Sequence, residues 1–270
     1  MKLLTATPRQ GVLWVRRGFA LFFKLPLPFA GLFGACLFIV LVMNLLPWIG
    51  PLLLLVALPL GSLGFMIATR TALEGRAPSV GALFEPLRGS RSCRVALLQL
   101  GVVYAVASVG IMLVADLADG GALDALIEAL GSAKDKPEVA LESLANSQLA
   151  LGMAVRFGLA GLLSVPFWHA PALVFWGNHG AAKALFSSCV ACWRNRGAFA
   201  AYGAAWVAVI LLFGVLVNLV FAVLGQIQWV ALATLPATLL FSTVFYVSLY
   251  FTFADCFDLA PDAAPAAGSP

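Results

Sequence analysis

Charge is missing from long stretches of this chain, and that absence decides most of what it can become. No Asp, Glu, Lys or Arg occurs from Leu25 to Thr69 (45 residues), Val95 to Ala115 (21), Phe157 to Ala182 (26) or Gly197 to Ala254 (58). A helix needs about 20 apolar residues to cross the hydrocarbon core of a bilayer. The first and last runs are each long enough for two crossings and the middle pair for one each, which gives six. The runs are continuously apolar rather than alternating, which excludes a transmembrane β-barrel. Only 10% of the 270 residues are charged and 62% are hydrophobic. A soluble domain usually carries about 25% charge, so this chain cannot cover itself in water.

The turns inside the two longest runs can be placed. Asn44-Leu-Leu-Pro-Trp-Ile-Gly-Pro51 cannot continue one straight helix, and Gly225-Gln-Ile-Gln228 is followed by Trp229, a residue favoured at headgroup level. The spans are expected at about residues 27–46, 50–70, 94–115, 151–177, 198–224 and 229–253, in one polytopic domain, residues 1–258. Residues 259–270 are too poor in large apolar side chains to fold and form a disordered tail. Arg16, Arg17 and Lys24 interrupt any early apolar core, so the N-terminal segment reads as an interfacial helix rather than a cleaved signal.

Basic residues fall on alternate connections. Lys2, Arg9, Arg16, Arg17 and Lys24 precede the first span. Arg70, Arg76, Arg88, Arg91 and Arg94 join the second to the third, and Lys183, Arg194 and Arg196 join the fourth to the fifth. Seven acids sit instead in the 116–148 connection, with Lys134 and Lys136. Basic loops stay cytoplasmic, so both termini are expected inside a bacterial inner membrane and the acidic loop in the periplasm. Ala122–Leu130 and Pro137–Asn146 in that loop have helical apolar spacing or a helix start, and read as a small cap over the bundle.

The triplet Ala-Leu-Phe recurs at 20–22, 82–84 and 184–186, each time in a basic segment before an odd-numbered span. This suggests three pseudo-repeated helical hairpins, each preceded by a cytoplasmic amphipathic helix that turns aromatics to acyl chains and arginines to headgroups. Arg16, Arg17, Arg88, Arg91 and Arg194 are the candidate headgroup contacts. The basic face is explained by topology and anionic phospholipid, with no need of nucleic acid.

The stretch 167–195 holds both histidines and a Cys-x-x-Cys, Cys189 and Cys192. A structural zinc wants four ligands and a redox pair wants a thioredoxin-like setting; neither is legible. On a helical wheel the cysteines share a face with Leu185, Phe186, Val190 and Trp193, so they read as small apolar residues on a buried face. His169 is the intramembrane residue with functional potential; as a lone imidazole it reads first as a hydrogen-bond partner to a neighbouring helix. Pro171, two residues on, frees the carbonyl of Phe167. Arg156 is a charge within a span, able to snorkel toward Asp116 or Asp119. With Asn44 and Asn218 at similar depth it is a candidate polar, anion or lipid site. No carboxylate pair within the membrane, phosphate-binding loop or nucleophile motif is present, and no metal or cofactor is implied.

The run from Ala170 to Asn195 resembles a family of uncharacterised six-span inner-membrane proteins of proteobacteria, akin to the membrane domain attached to some glycerophosphodiester phosphodiesterases. The shared residues are Pro171, Gly180, Ala184, Leu185, Ser187 or Ser188, Arg194 and Asn195, with looser likeness from Gly64 to Arg88. The resemblance implies location and architecture only; no phosphodiesterase domain accompanies it. The expectation is a non-enzymatic inner-membrane protein acting in envelope or membrane organisation through lipid or protein contacts. The alternative is a small permease or lipid-handling transporter with a polar path near Arg156.

Overall fold

The computed structural model describes residues 1–132 and 147–258, which are helical apart from turns and one isolated bridge, Leu3 to Phe257. The helices are α1 (Pro8–Lys24), α2 (Pro26–Asn44), α3 (Ile49–Leu73), α4 (Arg91–Asp119), α5 (Ala122–Ser132), α6 (Ser147–Phe167), α7 (Ala170–Phe175), α8 (Ala181–Arg194), α9 (Arg196–Val223) and α10 (Val230–Cys256). Six segments are long and apolar enough to cross a membrane: α2, α3, α4, α6 continued by α7, α9 and α10. The protein is an all-α, six-span membrane protein.

Helix ends follow local chemistry. Pro8 opens α1, where the Gln10 side chain accepts from the Thr7 backbone N–H at 2.6 Å. The Ser90 hydroxyl accepts from the Cys93 N–H at the start of α4. That helix runs to Asp119 and stops where Gly120 takes φ +61°. Asp116 and Asp119 therefore ride on the last turn of the span, not in the loop expected to begin at 116. Beyond them α5 covers the first amphipathic stretch and folds back on α4 and α6 with Leu126 buried. The second stretch, Pro137–Asn146, and the tail from 259 lie outside the described residues.

The spans form an open arc. Helix α6 packs on α4, α4 on α3 and α3 on α10, with α2 against α3 and α10. Helices α9 and α10 touch sparsely; α1 packs extensively on both and joins them. A Cβ at Gly11 would run into the Ala198 carbonyl oxygen, and one at Gly18 would lie 3.0 Å from Ser248 Cβ. Small residues thus let α1 approach closely, as at membrane helix contacts. Trp14 is fully buried there, its indole N–H donating to Asp255 at 2.8 Å, and Arg17 pairs with the same carboxylate at 3.1 Å. Asp255 is therefore a structural anchor, not the solvated residue its position after the last apolar run suggests.

The three expected amphipathic helices differ from one another. Helices α1 and α8 are formed. The middle segment is two 3-10 turns, Val80–Leu83 and Glu85–Arg88, with Phe84 between them and Pro86 opening the second. The Ala-Leu-Phe copies also differ: Leu21 and Phe22 are buried and Ala20 exposed in the first, whereas Ala82 and Ala184 are buried and Phe84 and Phe186 exposed in the others.

Most of the core lies in the half of the bundle that carries both termini. Phe29, Leu32, Leu63, Phe65, Leu97, Leu100, Leu173 and Phe253 are buried, while Leu212, Leu219, Val223, Leu232 and Leu235 on the other halves of α9 and α10 stay exposed.

Candidate functional site: a lateral aromatic cleft

Two prolines break the fourth span. Pro166 ends α6, Pro171 begins α7, and Trp168 and His169 form the joint. In an unbroken helix the His169 N–H would donate to the Val165 carbonyl. Here the Ser188 hydroxyl stands between them, accepting from His169 N at 3.1 Å and donating to Val165 O at 2.9 Å. A side chain from α8 thus completes the hydrogen bond that the bend opens, the kind of repair that lets prolines persist in membrane helices.

Helix α8 can reach this position because it presents its small residues. Ala184, Ser188, Ala191 and Asn195 are buried, a period of three and four. Phe186 and Trp193 are 71% and 73% exposed, so the bulky residues of the wheel point away from the protein. Cys192 is buried and Cys189 lies at the border. Burial pushes the Cys192 thiol up to about 12, which leaves it a neutral packing group.

His169 is fully buried, with its ring against Phe199, Phe253 and Phe257. Neither imidazole nitrogen has a hydrogen-bond partner among the described residues. The expected side-chain bond to a neighbouring helix is not made; the backbone N–H makes it, and three aromatic rings enclose the imidazole. Asn195, between α8 and α9, is a second clasp. Its amide accepts from Ala6 N at 2.6 Å and donates to Leu4 O at 3.2 Å and Ala191 O at 3.0 Å. The N-terminal segment is thereby tied to the same end of the bundle, where Leu4 N also donates to Cys256 O.

Above this floor the gap in the arc opens as a cleft of about 1240 Å³ between α6, α9 and α10. It is larger than the roughly 300–1,000 Å³ of ordinary small-molecule sites. Trp168, Phe199, Tyr202, Trp206, Phe241 and Phe245 are prominent in its wall. Several polar groups of the wall are already engaged within the protein. Ser164 donates to Gly161 O, Thr238 to Thr234 O, and Tyr202 shares a 2.6 Å hydrogen bond with Ser248. Trp168 is held by an indole N–H donation to Thr252 at 3.1 Å and separates the cleft from a smaller cavity of about 180 Å³ between α3, α4 and α10. Among the described residues Arg196 is the one charged member of the lining; its guanidinium lies 5.4 Å from the Trp193 ring centroid.

The polar site expected near Arg156 is built differently. Arg156 on α6 donates to Asp116 at 2.6 Å, with Asp119 at 3.6 Å. The Asn44 and Asn218 amides are exposed and turn back to Val40 O and Gly214 O on their own helices. The three are not brought into one cluster, and none of them lines the cleft. Of the candidate headgroup residues, Arg16, Arg88, Arg91 and Arg194 are exposed, while Arg17 is engaged by Asp255. Sequence reasoning missed the cleft and Asp255. The signal that could have found the first was the aromatic set Phe199, Tyr202 and Trp206 on one face of α9.

No family model matches the chain, and no solved structure matches it. A probable inner membrane protein of Burkholderia thailandensis is 32% identical over 266 residues, which cover 98% of this chain and 97% of that protein. Likeness at that level and over both whole lengths makes this chain a member of the family of that probable inner membrane protein.

Proposed function

We propose that this chain is a non-enzymatic inner-membrane protein that organises the membrane around it by holding lipid in its lateral cleft. One observation carries the reading: a volume of about 1240 Å³, walled by aromatic side chains, lies between three spans and is floored by α8. From Arg196 to Ile210, both in the lining, α9 rises about 21 Å, a large part of a hydrocarbon core about 30 Å thick. The cleft has the length and the chemistry of an acyl-chain site. The likeness over both whole lengths to a probable inner membrane protein supports the membrane location of the cleft.

Gly203 lines the cleft, and a Cβ added there meets nothing within 4 Å. Gly203→Trp is therefore expected to fill the cleft without disturbing the helix contacts. Native mass spectrometry after gentle detergent extraction should show phospholipid retained by the wild type and at least a fivefold lower lipid-bound fraction in the variant. Equal retention by both would refute the cleft as the lipid site.

The orientation belongs to the same proposal: Arg16, Arg88, Arg91 and Arg194 are exposed at the end carrying both termini, which fits a cytoplasmic face. In a background lacking native cysteines, Asp124→Cys should react with an impermeant maleimide on intact cells, and Arg88→Cys only after permeabilisation. The reverse pattern would invert the topology.

A further inference from the structure

The lipid reading leaves open what the cleft selects, and its end at Arg196 supplies an answer. Resting on that reading, we infer that the cleft selects an anionic phospholipid of the leaflet at the termini end, its phosphate held by Arg196 and its acyl chain laid along the aromatic wall. Inside a bilayer an acyl chain gains little by leaving other chains for apolar side chains, because lipid tails are as apolar as leucine. Selectivity must come from the headgroup. At that position the lining offers one guanidinium and, among the described residues, no carboxylate.

This combination also says which headgroups fit poorly. A zwitterionic lipid brings a cationic amine beside its phosphate, and the lining has no acid to receive it. An aromatic face could receive it instead, but Arg196 already lies over the Trp193 ring. Trp193 itself is 73% exposed, in the position of an interfacial tryptophan. Guanidinium over indole, with Arg196 exposed, is an arrangement suited to a phosphate with no compensating ammonium.

Full-length protein reconstituted in nanodiscs of equal parts dioleoyl-phosphatidylglycerol and dioleoyl-phosphatidylcholine provides the test. Lipid that stays bound after transfer to detergent is identified by mass spectrometry. Wild type should retain phosphatidylglycerol over phosphatidylcholine about fivefold, the worth of one basic residue against anionic lipid. Arg196→Gln should bring the ratio below twofold, and Arg196→Lys should keep most of it. Arg94→Gln, an exposed arginine outside the lining and outside the candidate headgroup contacts, should leave it unchanged. If Arg196→Gln keeps the wild-type ratio while Gly203→Trp still empties the cleft, the headgroup inference is overturned and the lipid reading stands. If Gly203→Trp changes nothing, or the wild type carries no lipid and a second copy of the chain sits in the cleft, both fall.

Discussion

Asn195→Ala is expected to lower the stability of the protein by about 2–5 kcal/mol and to free its first seven residues. The side chain is 1% exposed and its amide serves Ala6 N, Leu4 O and Ala191 O. Truncation strands a donor and an acceptor from a different part of the chain, each costing about 1–3 kcal/mol if left buried without a partner. Asn195→Asp should be no better, because a carboxylate can accept from Ala6 but cannot donate to either carbonyl. Thermal unfolding in mild detergent and the rate of trypsin cleavage at Lys2 report the two effects separately. A melting temperature within a degree or two of wild type, with cleavage at Lys2 no faster, would refute the clasp.

Gly11→Leu is expected to be at least as damaging. A Cβ at this position collides with the Ala198 carbonyl and lies 2.9 Å from Tyr202 N, and both are backbone atoms that cannot swing aside. Helix α1 would have to lift. It would surrender the packing of the fully buried Trp14 against Phe199 and Tyr202, and with it the indole hydrogen bond to Asp255. Losing a buried tryptophan contact typically costs about 3–5 kcal/mol. Trypsin should then cut at Arg16 and Arg17 while membrane-inserted spans stay intact. Gly31→Leu is the control, since an added Cβ there meets nothing within 4 Å. Equal stability of the two variants would show that α1 is not held by close approach.

The spans were legible because hydropathy is a property of each segment alone. The break at Asn44–Pro51 and the bend before Pro171 were legible for the same reason, since proline and glycine act where they stand. Adjacency is different. Nothing in the run around Gly11 says that its neighbour is Ala198, and α1 reads as a surface helix until α9 and α10 are beside it. Helix α8 illustrates the inversion a bilayer imposes. Its bulky face looks like a core face, yet lipid solvates it, and the buried face is the small one carrying Ser188 and Asn195. Those two polar residues fall within the stretch that carried the family resemblance, and their positions in the fold explain what such residues do there. The cleft was not legible at all, because it is the space between α6 and α9, and sequence describes helices rather than gaps.

The docking of α1 has a consequence for how the protein is made. Gly11 and its partner Ala198 are 187 positions apart in the chain. At roughly 5–20 residues per second of synthesis, about 10–40 s separate the emergence of α1 from that of the helix that receives it. During that interval four spans can be inserted while the face bearing Trp14 has no protein to cover it. An amphipathic helix has somewhere to wait, namely the membrane surface. The pattern that makes α1 look like a permanent interfacial helix then describes its lodging during assembly, and closure of α1 onto α9 and α10 becomes the step that reports both of those spans in place.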